Sequence, residues 1–155
     1  MDILKELKEK YKHNDCIKFK NTDNLRELCQ AIPDGLCGIY FYTIKEEGKE
    51  RILYIGCSGH IEDGKPVCRK KHGLRGRIYG KQKEFGNGEY TKRDKFYKKV
   101  MADKGVPELK IYWFNTKNDD PEYVEYKEIL KYIARYGEFP EFNNKLERKK
   151  NLAIG

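Results

Sequence analysis

Gly38-Ile39-Tyr40-Phe41-Tyr42-Thr43-Ile44 and, after the polar run Lys45-Glu46-Glu47-Gly48-Lys49-Glu50, Arg51-Ile52-Leu53-Tyr54-Ile55-Gly56 decide how this chain folds. Both apolar stretches are short and rich in β-branched and aromatic residues, and the run between them is charged and carries a glycine, so the pattern reads as a β-hairpin. Residues 38–44 and 51–56 are the expected strands. Two tyrosines, Tyr40 and Tyr54, then stand on neighbouring antiparallel strands, where they are able to face one surface.

The rest of the composition bounds what such a hairpin serves. A chain of 155 residues is most simply one domain, long enough to bury a core without disulfides or metals as staples. Its mean hydropathy of −0.92 is that of a soluble chain, and no apolar run approaches the ~18 residues a membrane span needs. Residues 2–12 alternate charge with Ile3, Leu4 and Leu7, which suits an amphipathic helix and not a signal peptide. The expectation is an intracellular, cytoplasmic protein with no membrane partner. Five cysteines, an odd number, argue against a disulfide framework, and Cys16, Cys29 and Cys37 read as small core residues. Lys and Arg outnumber Asp and Glu by 33 to 25, a net charge of +8, and twelve tyrosines accompany it. That balance points to a polyanionic partner; a merely solubilising lysine surface is the plain alternative.

Along the chain, helices are expected over 2–12 and 23–31, the second capped by Thr22 or Asp23 and stopped at Pro33-Asp34-Gly35. Residues 57–73 read as an irregular charged loop and 83–88 as another. A short basic helix fits 74–81, with Leu74 and Ile78 on one face and Arg75, Arg77 and Lys81 around the rest. A helix over 91–104, ended by Gly105, precedes a third strand over 108–115. Asp119-Asp120-Pro121 opens the last helix, whose stripe is Val124, Tyr126, Ile129, Leu130 and Ile133 and which stops at Gly137. The organisation is a helical extension over 1–35, a domain over 36–145 and a basic tail over 146–155.

This order of elements resembles the GIY-YIG nuclease family. Gly38-Ile39-Tyr40 and Tyr54-Ile55-Gly56 match its two name motifs, Leu74-Arg75-Gly76-Arg77-Ile78 its Leu-x-x-Arg-apolar pattern, and Pro140-Glu141-Phe142-Asn143 its closing motif. Four motifs in order are more specific than any one. The resemblance implies an α+β fold, a small three-stranded antiparallel sheet flanked by helices, and divalent-metal-dependent cleavage of a DNA phosphodiester. It implies Mg²⁺ or Mn²⁺ as cofactor and DNA as partner. By position, Tyr54 corresponds to the tyrosine beside the scissile phosphate, Tyr40 to its neighbour, Arg77 to the phosphate-steadying arginine and Asn143 to the bracing asparagine. The metal-ligating glutamate of the last helix is Glu125, at the edge of the apolar stripe; Glu128, expected on the solvent side, is the alternative. Arg75 and Lys81 are the expected nucleic-acid contacts.

The chemistry asks for these residue types in its own right. In-line attack on a phosphodiester needs an activated water, a cation on the charged oxygens and a fixed donor on the phosphate. A single carboxylate suits Mg²⁺, which keeps several waters. A tyrosine takes the water's proton only if neighbouring cations depress its pKa, and Arg77 with a bound metal would act in that direction.

The chain departs from the family at Cys57, where a lysine is usual, at Lys81, where a histidine or tyrosine is usual, and in a long segment over 58–73. That segment carries Cys57-x2-His60 and Cys68-x3-His72, paired spacing that raises a structural Zn²⁺ site; a DNA-facing loop is the preferred reading. The functional alternatives to a DNA endonuclease are a non-catalytic nucleic-acid-binding module of the same fold, or a nuclease for RNA or branched DNA. A double-strand cut by a domain with one site implies a homodimer or sequential nicking.

Overall fold

The hairpin forms with a tighter turn than its polar run suggests. In the computed structural model, which describes residues 2–68, 72–83 and 88–143, α1 (Ile3–Lys10) starts from Asp2, whose carboxylate accepts the Leu4 N–H at 3.0 Å. It is followed by β1 (Asn14–Lys20), α2 (Leu25–Leu28) and a 3-10 turn over Cys29–Ala31. Next come β2 (Gly38–Glu46), β3 (Lys49–Ser58), a small hairpin of β4 (His60–Glu62) and β5 (Lys65–Val67), and α3 (Leu74–Ile78). A second small hairpin, β6 (Lys81–Lys83) with β7 (Tyr90–Lys92), leads to α4 (Arg93–Lys104), β8 (Glu108–Asn115) and α5 (Pro121–Tyr136). The polar residues at 45–46 and 49–50 pair as strand, and the turn shrinks to Glu47-Gly48, both at positive φ of 50° and 78°. That is the two-residue primed turn whose twist suits a hairpin.

The main sheet has four strands in the order β1-β8-β2-β3, all neighbours antiparallel. The expected three are β2, β3 and β8. The fourth is β1, which lies within the segment expected to be a helical extension and pairs with β8 from Asn14↔Phe114 to Lys20↔Glu108. The loop expected over 57–73 contains the β4–β5 hairpin, the helix expected over 23–31 is split by its 3-10 turn, and α3 is shorter than 74–81. The expected basic tail over 146–155 lies outside the described residues.

Helices cover both faces of the sheet, which is why β2 reads as apolar at nearly every position with no alternation. On one face Tyr40, Tyr42, Ile44, Leu109, Ile111 and Trp113 pack with α2, α3 and α4 through Leu25, Ile78 and Tyr97. On the other, Ile39, Phe41, Ile55, Tyr112 and Phe114 pack with α1 and α5 through Leu4, Leu7, Val124 and Ile129. α5 begins from Asp120, whose side chain accepts the Glu122 N–H at 3.0 Å, and ends at Gly137 with φ 74°. Among the described residues no helix is long and apolar enough to cross a membrane.

One irregularity in the hairpin sets up everything beside it. Near the turn Thr43 faces Ile52, but one residue further Tyr42 faces Tyr54 and Tyr40 faces Gly56, so Leu53 is an extra residue, a β-bulge. Side chains on paired strands share a face only at matching register, and a slip of one residue sends them to opposite faces. Without the bulge Tyr54 would point away from Tyr40. With it, the two rings lie together with centroids 6.2 Å apart.

Candidate active site

A cleft of about 340 Å³ runs across the outer edge of β3 and is lined from both faces of the sheet. Tyr40, Tyr54, Arg77, Lys81 and Arg93 come from the α3–α4 side, and Glu122, Glu125 and Ile129 from α5. Asn143 lines it as well. Five positions expected from sequence to form the site, Tyr40, Tyr54, Arg77, Glu125 and Asn143, therefore border one space.

Asn143 reaches it because the chain after α5 returns to the bulge. The Phe142 N–H donates to the Leu53 carbonyl at 2.9 Å, taking up the acceptor the extra residue leaves over. The Asn143 amide then grips Ile55 at both ends: Oδ1 accepts the Ile55 N–H at 2.8 Å and Nδ2 donates to the Ile55 carbonyl at 3.0 Å. The side chain acts as a one-residue strand against the β3 edge. It fixes the backbone between Tyr54 and Gly56.

Arg77 projects from α3 with its Nε donating to the Cys57 carbonyl at 3.2 Å, and the residue is exposed. Behind it lies Arg93, 5% exposed, a residue that sequence reasoning passed over. Its Nε donates to Gln82 Oε1 at 3.2 Å, its Nη1 donates to the Arg77 carbonyl, and its guanidinium centre sits 5.4 Å from the Tyr40 ring centre and 5.2 Å from that of Tyr54. The hydroxyl of Tyr97, whose ring stacks on Tyr42 at 3.9 Å, donates to the same Gln82 oxygen at 3.2 Å. Arg93 gave little local signal. It stands among lysines, and only a cation at a helix start, where the dipole disfavours it, marks the position as odd.

The tyrosines are held as neutral phenols. Burial raises the Tyr54 pKa, and Glu125 and Cys57 add to this against the lowering pull of Arg93 and Arg77. Burial likewise raises Tyr40, with Arg93 the main opposing group. Arg77 pulls in the expected direction, but in the metal-free protein burial outweighs it: stripping water from a phenolate costs more than the two guanidiniums return. A neutral phenol at this position is able to donate a hydrogen bond into the cleft. Cys57 is also neutral, its thiol pushed well above the usual range by burial and by the Glu125 carboxylate to which it hydrogen-bonds.

Other expected positions lie elsewhere. Glu128 is not on a solvent side: it is 1% exposed, paired with Lys131 at 3.1 Å, while Lys131 also reaches Glu6 of α1 at 3.5 Å. Burial raises its pKa. It packs where α1 crosses α5, a helix the stripe argument did not place there. Arg75 turns away from the cleft and donates to the Ile32 carbonyl at 2.8 Å. Lys81 is exposed on the cleft rim. The proposed zinc ligands are dispersed: His60 bonds Glu62 at 3.1 Å, His72 bonds Asp34 at 2.7 Å, and Cys68 lies 2.7 Å from Cys37. Among the described residues no three His, Cys, Asp or Glu side chains gather into a metal-binding group.

In chemical terms the cleft sets carboxylates on its α5 wall opposite two guanidiniums and two phenols. Glu122 and Glu125 are one helical turn apart, and hard oxygen donors of this kind suit Mg²⁺, which takes its remaining ligands from water. No family model, no curated protein and no solved structure matches the chain.

Proposed function

We propose that the chain is a divalent-metal-dependent endonuclease that hydrolyses DNA phosphodiester bonds in this cleft, after the manner of the GIY-YIG nucleases its motifs resemble. The observation that carries the reading is convergence. Tyr40, Tyr54, Arg77, Glu125 and Asn143 are drawn from four motifs and a helix spread over a hundred residues, and all five border one cleft. Core packing of a tyrosine does not require that company.

In this reading Arg77 holds a non-bridging oxygen of the phosphate, at the open side where the nucleic acid enters. Tyr54, as a neutral phenol, donates a hydrogen bond in the cleft and orients the oxygen that receives it. Asn143 keeps the Tyr54–Gly56 backbone from shifting, so that the phenol stays where it is needed. Glu125, assisted by Glu122 a turn earlier, would hold Mg²⁺ or Mn²⁺, and the ion would supply charge neutralisation at the phosphate oxygens. Lys81 on the rim and the +8 net charge favour approach of the polyanion. One cleft serves one strand, so a double-strand break takes two chains as a homodimer or two successive nicks.

Plasmid relaxation and linearisation with Mg²⁺, Mn²⁺ or a chelator test the reading, with wild type beside Arg77→Ala, Tyr54→Phe and Glu125→Gln. The expected result is metal-dependent nicking by wild type and a loss of at least about a hundredfold in each variant. Equal activity in all four would place the cutting elsewhere or in a contaminant. Salt-sensitive DNA binding with no cutting under any metal would make the chain a binding module. Labelled RNA and branched DNA in the same assay separate the remaining substrates.

A further inference from the structure

The cleft contains a cation that its motif residues do not account for. Arg93 is nine-tenths buried, and burial strips a guanidinium of the water that stabilises its charge. It is the first residue of α4, so it also meets the positive end of a twelve-residue helix that has no side-chain cap. Its bonded partners are neutral, the Gln82 amide oxygen and the Arg77 carbonyl. No carboxylate of the described residues lies within salt-bridge distance of it. The rings of Tyr40 and Tyr54 stabilise the cation through their faces, yet both are themselves at the cleft wall. A core tie between α3 and α4 would be made more cheaply by a neutral donor. A fold that keeps a charge against burial and against the helix dipole, beside an open cleft, is built to receive an anion.

We propose that Arg93, flanked by Tyr40 and Tyr54 and backed by Gln82, is the fixed cation of a seat for a phosphate oxyanion, with Arg77 as the exposed outer cation of the same seat. The identity of the anion rests on the phosphodiester reading above; the seat itself rests on the geometry. The division of labour follows from how each arginine is held. Arg93 is oriented by two hydrogen bonds and two rings, so it loses little freedom when the anion arrives, whereas the exposed Arg77 must be ordered at that moment. Arg93 therefore acts on the bound phosphate, and Arg77 mainly on capture.

The test follows the side-chain Nε–H resonance of Arg93 in the nitrogen-labelled full chain, without metal. It is titrated with inorganic phosphate and, separately, with thymidylyl-thymidine, which carries one diester and no terminal phosphate. A saturable shift of the Arg93 signal in wild type is expected; a response to phosphate alone identifies a seat for the free ion, and a response to the dinucleotide identifies one for the backbone. Arg93→Gln should weaken binding about tenfold or more, Arg93→Lys should keep part of it, and Arg77→Gln should weaken it less than Arg93→Gln. The proposal is overturned if the wild-type signal stays put up to tens of millimolar of both ligands, or if Arg93→Gln binds as tightly as wild type. Should Arg93→Gln fail to fold, the wild-type resonance and Arg93→Lys decide by the same criterion. DNA cleavage with an unmoved Arg93 signal sinks the seat and leaves the nuclease reading standing. Anion binding without cleavage does the reverse.

Discussion

The ring of Tyr40 occupies the space that a side chain at Gly56 would need: a Cβ built there would lie 2.4 Å from the ring's Cζ. The two residues face each other across β2 and β3, so the tyrosine of the first motif lies on the glycine of the second. The first motif's glycine is similarly confined, since a Cβ on Gly38 would lie 1.9 Å from the Phe114 carbonyl oxygen on β8. Gly56→Ala should force the buried Tyr40 ring off its rotamer and cost about 1–3 kcal/mol of stability, as overpacking does. Urea unfolding measures it, and an unchanged midpoint would mean the ring moves aside freely. Cleavage should fall by more than stability accounts for, because the displaced ring lines the cleft.

Asn143→Ala should leave the Ile55 N–H and carbonyl without their amide partner and destabilise the fold by about 1–3 kcal/mol. Amide exchange at Ile55 is the sharper readout. It should accelerate in the variant while Ile111, paired with Tyr42 within the sheet, keeps its protection. Asn143→Asp keeps the acceptor and loses the donor, so it should fall between.

Glu125 and Glu128 should separate cleanly. Glu125→Gln removes the carboxylate at the cleft and should stop metal-dependent cutting with the fold intact. Glu128→Gln should leave cutting in place and alter the pH dependence of stability. Burial raises the folded pKa of Glu128 above its usual 4.5, so the folded state holds that proton more tightly than the unfolded chain. Its contribution to stability is full below 4.5 and is lost as pH rises through the folded value. Unfolding midpoints measured across that window should fall in wild type and flatten in Glu128→Gln.

The buried tyrosines make the opposite end of the pH scale informative. Tyr42 and Tyr97, stacked on each other, share with Tyr40 and Tyr54 a pKa raised above 10.0 chiefly by burial. An acid whose folded pKa is raised stabilises the fold below the unfolded value and stops doing so as pH climbs through the folded one. In metal-free protein, phenolate absorbance should therefore rise in two phases. The buried set forms the later phase and ionises only as the circular dichroism of the fold is lost. A single phase for all twelve with the fold intact would contradict the burial argument.

Cys37, read from sequence as a core residue, lies with its sulfur 2.7 Å from that of Cys68. Oxidised glutathione should take two electrons and two protons from this pair, forming an intramolecular disulfide and two glutathione thiols. Closing the loop from 37 to 68 should stabilise the chain by about 4 kcal/mol on the chain-entropy model. Intact mass before and after alkylation detects it, and Cys37→Ser should abolish the product.

Much of this architecture was legible in the residues. The bounds of β8 match the expected third strand, and Asp120 caps α5 ahead of Pro121 as the local chemistry requires. β1 was legible as well: Ile17 and Phe19 alternate with Lys18 and Lys20, a period-two pattern overlooked beside the stronger helical signals around it.

By itself, then, the sequence determined the longer helices, the central hairpin, the third strand and the residue types of the site, because propensity, capping and spacing act over a few neighbours. What only tertiary structure decided is who faces whom. The bulge at Leu53 turns Tyr54 to the side of Tyr40, the packing of α1 on α5 buries Glu128 and leaves Glu125 at the cleft, and α4 delivers Arg93 beneath the two tyrosines. Each depends on register or burial between segments far apart in the chain, and a residue's local pattern carries no record of which distant surface will cover it.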